Sequence, residues 1–155
     1  MKKIIKKLKA EGVRFRIHEH EPVLTMQDVL DKLPFSKDRL LKTLVFKVKG
    51  SGWIFAVVRA KDMVDYRALS QILGIPRSDI KFPTIDNIKT QLGLQVGGIC
   101  PVPVRDDILV VFDKHILGMD TVYCGAGQND CTLEIKADDI VRVCNARIGC
   151  ISKHT

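Results

Sequence analysis

The feature that most constrains the fold is a pair of apolar segments separated by a very short turn. Residues 40–48 read LLKTLVFKV, residues 53–59 read WIFAVVR, and a Gly-Ser-Gly sequence occupies positions 50–52 between them. Two runs rich in β-branched and aromatic residues around a glycine-containing turn are typical of a β-hairpin. The sequence therefore predicts two antiparallel strands, around which the other elements have to be arranged.

One lysine interrupts the apolar pattern of the first strand. Because side chains alternate between the two faces of a strand, Lys42 shares its face with four apolar residues, Leu40, Leu44, Phe46 and Val48. We expect this face to point toward the core. Either Lys42 extends its ammonium group past that face into water, or the face opens into a pocket where the ammonium group holds an anion such as phosphate.

The rest of the chain predicts helices and strands in an irregular order. Helices are expected at residues 2–10, 25–33, 65–74, 83–93 and 137–144, and a short helical turn near His115. Further strands are expected at residues 13–20, 107–112, 120–127 and 131–136. Thr25 with Asp28 predicts a capping box at the start of the second helix. This order does not fit a doubly wound fold, and the length favours a single domain over residues 1–155.

The charge balance suits a polyanionic partner. Lys and Arg outnumber Asp and Glu by 25 to 18, which gives a formal net charge of +7 and a pI near 9.3. Such an excess favours RNA as a partner, although many basic proteins bind none. The lysines of residues 2–10 are either a solvated helix face or phosphate contacts. No apolar run approaches the roughly 20 residues that cross a bilayer, so we predict a cytoplasmic protein with no membrane contact.

The cysteines and histidines do not predict a metal site. The five cysteines are odd in number and form no CxxC pair, which argues against a disulfide framework and a thiolate zinc site. Cys144 and Cys150 flank the end of the last helix and are expected to be exposed. His18 and His20 could share a face as metal ligands do, but no further ligand stands at a suitable spacing. We predict no metal and no cofactor, and no motif of a protein nucleophile is present.

Two glycine-rich segments are candidates for a binding site. In GLQVGGICPVP, residues 93–103, the Gly97-Gly98 pair allows a ligand to approach bare backbone N–H groups, which can polarise a carbonyl. The other interpretation is a plain turn between a helix and a strand. In YCGAGQNDCT, residues 123–132, the glycines form either a hairpin or the rim of a pocket. This segment does not fit GxGxxG, so a dinucleotide site is not expected.

Taken together, these stretches resemble the YbaK family, the free-standing relatives of the editing domain inserted in bacterial prolyl-tRNA synthetases. The resemblance runs through IHEHEPVLT, LLKTLVFKV, ALSQILGI, VGGICPVPV and VYCGAGQNDCTLEIKADDIVRV. Its most specific parts are the Lys-Thr pair at 42 and 43, the GxxxP loop from Gly97 to Pro101, and the GAG at residues 125–127. Each part is weak alone, but the order and spacing of all three are specific.

The resemblance implies an α/β (α+β) fold with a twisted mixed β-sheet, partly barrel-like and surrounded by helices. It also implies hydrolysis of the ester that joins a wrong amino acid to the 3′ end of a tRNA, typically tRNA(Pro). An aminoacyl ester is already activated, so positioning and a polarised carbonyl suffice, and no covalent intermediate is expected. The implied partners are tRNA and prolyl-tRNA synthetase, with no role for DNA.

The resemblance also assigns site residues. Lys42 positions the substrate at the phosphate of the terminal nucleotide, and the backbone of Gly97 and Gly98 meets the scissile carbonyl. These three are the expected catalytic residues. The expected substrate-binding residues are Thr43, Pro101, Gly125, Ala126, Gly127, Asn129 and Asp130, of which either Asn129 or Asp130 contacts the amino group.

The amino acid that is removed stays open at this stage. Relatives that clear alanine often carry a histidine in the segment that matches residues 124–130, and this chain has none there. Cysteine and alanine are the leading candidates because the expected pocket walls are rich in glycine, and serine is a further one. Two other functions are compatible with the sequence: a tRNA- or synthetase-binding module without activity, such as an excised synthetase domain, and a domain that binds a small anion.

Overall fold

The computed structural model of the chain describes residues 1–153. The helices are α1 (Lys2–Ala10), α2 (Met26–Lys32), α3 (Tyr66–Leu73), α4 (Ile85–Asn87) and α5 (Ala137–Val143). The strands are β1 (Phe15–Glu19), β2 (Leu41–Val48), β3 (Trp53–Arg59), β4 (Met63–Val64), β5 (Ile80–Lys81), β6 (Ile108–Asp113), β7 (Thr121–Gly125), β8 (Cys131–Lys136), β9 (Arg147–Gly149) and β10 (Ser152–Lys153). Short 3₁₀ turns connect several of them, including the predicted one around His115, which spans Lys114–Ile116.

The predicted hairpin forms the centre of the larger sheet. β2 and β3 pair antiparallel, from Leu41 opposite Arg59 to Lys47 opposite Trp53. This sheet has the strand order β5-β2-β3-β6-β9, in which β6 is parallel to both β3 and β9. It is therefore a mixed sheet, as predicted. β4 and β10 form a separate two-stranded ribbon.

Both faces of the larger sheet are buried, which corrects the expectation of one core face on β2. Trp53, Phe55 and Val57 of β3 belong to a first core with α1, α5 and the smaller sheet. The alternate residues of β3 belong to a second core with α3. Parallel strands are joined by crossover segments that pack on the sheet, and the central strand β3 is buried on both faces.

A smaller antiparallel sheet has the order β1-β8-β7 and lies on the other side of the first core. A single parallel bridge between Leu40 and Tyr123 connects it to the start of β2. The two sheets thus enclose the first core from two sides, and no closed barrel forms within residues 1–153. The bridge brings the beginning of β2 next to the end of β7, which is where the candidate site lies.

The helix ends follow the predicted capping residues. The Thr25 hydroxyl accepts a hydrogen bond from the Asp28 N–H at 3.1 Å, and the Asp28 carboxylate completes the capping box. Gly74 and Gly93 end their helices in the left-handed conformation. The helix predicted at 83–93 is a short α-helical turn that continues as a π-helix over Ile88–Leu92, so a continuous α-helix there was wrong.

The last helix buries a cysteine that was expected to be exposed. Cys144 is only 3% exposed because it follows the inner face of α5, where Ile140 and Val143 pack into the first core. Cys150 is exposed, as predicted. In the part of the chain that the structure describes, no helix has the length and apolar character to cross a membrane.

Candidate active site

A cleft of about 210 Å³ opens where the two sheets meet. Its walls come from residues 23–33, the start of β2, the loop at residues 96–99 and the facing ends of β7 and β8. Most of the lining is apolar, including Val23, Val29, Leu41, Val96 and Ile99. The cleft is smaller than the ~300–1,000 Å³ of typical ligand pockets, which suits a small chemical group.

Lys42 lines this cleft and is half-buried. Burial lowers the pKa of Lys42, and the nearby charge of Asp62 partly opposes the shift. The Asp62 carboxylate is itself held by the Arg59 Nε–H at 2.7 Å. The lysine therefore offers a poorly solvated positive charge to an anion in the cleft.

Three glycines allow the loops around the cleft to pack backbone against backbone. A Cβ atom on Gly97 would collide with the carbonyl oxygen of Val23 and lie 2.9 Å from its carbonyl carbon. Cβ atoms on Gly98 and Gly125 would collide with the backbones of Gln128 and Ile99. Gly97 also has a φ of +93°, which L side chains rarely adopt. Side chains at these positions would force the loops apart.

The Gly97 and Gly98 N–H groups were both expected to be free of hydrogen bonds, and only one of them is free within the described residues. The Gly98 N–H donates to the Gln95 carbonyl at 3.0 Å, which closes a turn, and the Gly98 carbonyl accepts from the Gly127 N–H at 2.7 Å. The Gly97 N–H has no acceptor among residues 1–153. Gly97 lines the cleft, whereas Gly98 is buried behind it. The prediction of two bare donors was therefore wrong for Gly98.

The predicted substrate-binding residues divide into cleft residues and supporting residues. Thr43 and Gly125 line the cleft, although the Thr43 hydroxyl oxygen is fully buried and has no hydrogen-bond partner among the described residues. The residues that do not line it are Pro101, Ala126, Gly127, Asn129 and Asp130.

The supporting residues hold the loops together. The Asn129 carbonyl accepts from the Val23 N–H at 2.9 Å, and the Asp130 carbonyl accepts from the His20 N–H at 2.8 Å. Gly127 has a φ of +103° and faces Ile4 of α1. Pro101 and Ala126 are buried. These residues fix the segment from His20 to Val23 against the loop that ends β7.

A threonine–histidine pair at the cleft was not predicted as part of the site. Thr132 lines the cleft and is 5% exposed, and its hydroxyl lies 2.7 Å from His20 Nε2. His20 Nδ1 lies 2.7 Å from the Glu21 carbonyl, which can only accept. The neutral ring thus carries its proton on Nδ1, and Nε2 accepts the Thr132 O–H. The Thr132 oxygen is left as an acceptor.

His18 and His20 do not form a metal site together. His18 Nε2 pairs with the Glu134 carboxylate at 2.9 Å, whereas His20 bonds to Thr132. Within residues 1–153, no group of three potential metal-ligating residues comes together. His18 instead links β1 to β8, and His20 links the segment after β1 to β8.

The comparison with known proteins decides the family. The model of the aminoacyl-tRNA editing domain matches residues 20–143, which is most of the chain. The chain belongs to this family. The family predicted from the sequence is thereby confirmed, and with it an enzyme of the aminoacyl-tRNA deacylase class. The matched residues include every residue of the cleft described above.

Individual relatives agree with this family. The chain is 26% identical over 149 residues to a protein named "Prolyl-tRNA editing protein ProX" from Acetoanaerobium sticklandii, with 92% of this chain and 89% of that protein covered. It is also 26% identical to the "Multifunctional Ser/Thr-tRNA deacylase ProXp-y" of Escherichia coli (strain K12), covering 91% of this chain and 86% of that protein.

Two further matches are to a longer protein and to a solved structure. The chain is 24% identical to a proline--tRNA ligase of Thermoanaerobacter sp. (strain X514) over 70% of its own length but spans only 19% of the ligase. A crystal structure of a candidate trans-editing enzyme for prolyl tRNA synthetase superposes with a TM-score of 0.82 at 16% identity, covering 98% of this chain and 96% of that one. That likeness confirms the predicted fold class.

The cysteine in the cleft is unsuited to act as a nucleophile. Cys124 lines the cleft but is 3% exposed, and burial raises its pKa well above that of an ordinary thiol. The thiolate is the reactive form, so Cys124 stays protonated and inert. The editing domain therefore offers a backbone donor, an ammonium group and a hydroxyl acceptor around a mostly apolar cleft. This set can orient and polarise an ester for attack by water.

Proposed function

We propose that the domain hydrolyses the ester between a small wrong amino acid and the 3′-terminal adenosine of tRNA(Pro). The observation that carries this proposal is that Gly97, whose N–H has no acceptor among the described residues, lines a small cleft together with Lys42. A donor fixed by the backbone needs no reorganisation when negative charge develops on a carbonyl oxygen. The name of the ProX relative supports tRNA(Pro) as the substrate.

Each group of the cleft then has a role. The aminoacyl carbonyl accepts from the Gly97 N–H, and the Lys42 ammonium group contacts the phosphate of the terminal nucleotide. The Thr132 oxygen accepts a hydrogen bond from the substrate's α-amino group, a role that was expected of Asn129 or Asp130. Gly98, Pro101 and the segment at residues 125–127 shape the walls.

The reaction needs no covalent intermediate with the protein. Water attacks the carbonyl carbon, and the tetrahedral oxyanion forms against the Gly97 N–H. The bond from that carbon to the ribose oxygen then breaks, and the ribose oxygen takes up the proton that the attacking water loses. The neighbouring ribose hydroxyl positions the attacking water. The products are the free amino acid and uncharged tRNA.

The lining of the cleft favours alanine or cysteine over serine as the amino acid removed. A serine hydroxyl would enter a wall made of Val29, Leu41 and Ile99 and leave its water partners behind. A buried hydroxyl without a partner costs roughly 1–3 kcal/mol. The Thr43 oxygen is too deeply buried to replace that water. Methyl and thiol groups carry no such penalty.

Deacylation assays test this function. We expect release of alanine or cysteine from mischarged tRNA(Pro), with prolyl-tRNA(Pro) left intact. Lys42→Ala and Lys42→Met should both lose this activity, and the second variant keeps the aliphatic stem. Lys47→Ala is the matched control, because Lys47 lies on the same strand but stacks over Trp53 at 4.5 Å. Full activity in folded Lys42→Met would refute the role of the ammonium group.

We also propose prolyl-tRNA synthetase as a partner in the cytoplasm, because a similar domain is part of the proline--tRNA ligases. An editing domain that meets the synthetase can intercept mischarged tRNA as it is released. Co-elution of the two proteins on size-exclusion chromatography, with and without tRNA, tests the partnership. Separate elution under both conditions would contradict it.

A further inference from the structure

A second cleft, of about 500 Å³, lies at the end of α1 and is lined by basic side chains from three parts of the chain. Lys7 comes from α1, Arg105 from the loop before β6, and Arg147 from the start of β9. Asp106 is the acidic residue in its lining. Three cations from separate elements thus face one polar cavity.

Among residues 1–153, two of these cations form no ion pair. The Arg105 guanidinium group is bound by the Asp107 carboxylate at 2.8 Å and the Gln91 carbonyl at 3.1 Å. Lys7 and Arg147, in contrast, form no ion pair with any acidic residue in the described part of the chain. Three cations and one carboxylate line the cleft, so its lining carries a net positive charge, and an anion bound there would be attracted to it.

The second cleft is close to the active-site cleft along two routes. Gly97 lines the first cleft and Pro103 lines the second, and six residues of chain span at most about 20–22 Å. The other route runs along α1, whose Ile4 Cδ1 lies 3.0 Å from the position of a Cβ on Gly127. Gly127 does not line the first cleft, but it follows the cleft residue Gly125 by two positions. Lys7 follows Ile4 by three residues, an advance of about 4.5 Å along the helix. The two clefts are therefore less than a tRNA acceptor arm apart.

We propose that the second cleft binds backbone phosphates of the tRNA acceptor arm while the 3′ end occupies the active-site cleft. This inference rests on the proposed function. Phosphate contacts of this kind fix the orientation of a nucleic acid without reading its sequence. The exposed Lys3 and Lys6 of α1 extend the same positive surface. The surface holds the arm so that the terminal ester reaches Gly97.

The test separates tRNA binding from the chemistry. The variant is Lys7→Gln/Arg147→Gln, and the control is Lys81→Gln/Lys153→Gln, which removes the same charge from exposed positions. Lys81 is on β5, at the opposite edge of the larger sheet from β9. Affinity for uncharged tRNA is measured as a function of salt, and deacylation is measured on full tRNA and on an aminoacylated CCA trinucleotide.

The slope of log K against log[salt] is negative, and loss of two phosphate contacts should make it less steep by about 1.4 to 1.8. KM for the charged tRNA should rise, with the rate on the trinucleotide unchanged. A slope equal to that of the control variant would overturn the inference, and so would an equal loss of rate on the trinucleotide. If the wild type hydrolyses neither substrate, the proposed function fails, and the salt slope still tests the second cleft. Circular dichroism confirms that each variant is folded.

Discussion

Gly97→Ala is the substitution whose consequences follow most directly from the structure. The added methyl group would collide with the Val23 carbonyl oxygen and lie 2.9 Å from the Val23 carbonyl carbon and 3.1 Å from Leu24 Cα. All three are backbone atoms, so no side-chain rotation relieves the contact. The loop at residues 96–99 must therefore move away from residues 23–24, and the Gly97 N–H moves with it.

The magnitude follows from what this displacement removes. Loss of one oxyanion donor costs about 100- to 1,000-fold in kcat, equivalent to about 2.7–4 kcal/mol. A misplacement of a catalytic group by about 1 Å lowers the rate ~100-fold. Loss of the donor and its misplacement are the same event here, so the two factors are not multiplied. The left-handed φ of +93° adds a folding cost of about 1–3 kcal/mol. We expect kcat to fall about 100- to 1,000-fold in a less stable but folded protein.

Gly93→Ala is the matched control. Gly93 also has a positive φ, +67°, but a Cβ atom there has no neighbour within 4 Å. This variant therefore carries the conformational cost without the collision. Single-turnover deacylation of the mischarged tRNA, with urea unfolding of both variants, separates the two effects. If folded Gly97→Ala deacylates as fast as Gly93→Ala, the backbone-donor mechanism is refuted.

Three further predictions concern other residues. Burial lowers the pKa of Lys42 below the 10.5 of an ordinary lysine, so its ammonium group loses its proton at a lower pH. Deacylation activity, corrected for spontaneous hydrolysis of the ester, should therefore decline as the pH rises, starting below pH 10.5. A pH profile that stays flat through that range would contradict the role of the ammonium group. Thr132→Val removes the proposed acceptor for the substrate's amino group and should raise KM about 10- to 100-fold, since a hydrogen bond to a charged group contributes roughly 1.5–3 kcal/mol. Thr132→Ser keeps the hydroxyl and should retain the wild-type KM. Equal KM values for the two variants would exclude the contact. The buried Asp113 carboxylate accepts hydrogen bonds from the backbone N–H groups of residues 151 and 152 at 3.0 and 3.1 Å. Asp113→Asn should lower the free energy of unfolding, measured in urea, by about 1–3 kcal/mol. An unchanged free energy would show that those hydrogen bonds contribute nothing.

Local sequence signals predicted much of the fold. The hairpin of β2 and β3, the capping box at Thr25 and the helix end at Gly74 all depend on residues close together in the chain, and all three are confirmed. The burial of both sheet faces was missed, although WIFAVVR carried the signal. A strand with one solvated face alternates apolar and polar residues, whereas this segment is apolar almost throughout.

The active-site details depend on contacts that no local pattern encodes. Lys42 was identified because a charge interrupted an apolar face, but its pocket is formed by segments far away in the chain. The bond between His20 and Thr132 joins residues 112 positions apart. The capture of the Gly98 N–H by Gln95 depends on how the turn closes, which the Gly-Gly pair alone does not determine.

The most direct test of the backbone-donor mechanism is the amide resonance of Gly97 in a ¹⁵N-labelled sample. The ligand is an aminoacyl-adenosine analogue whose 3′ ester is replaced by an amide, so that it binds without being hydrolysed. If the Gly97 N–H polarises the scissile carbonyl, its proton resonance should shift far downfield as it enters a hydrogen bond with the ligand carbonyl. Gly93, outside the cleft, should not shift. A bound ligand that leaves the Gly97 resonance unmoved would contradict the proposal that this N–H polarises the scissile carbonyl.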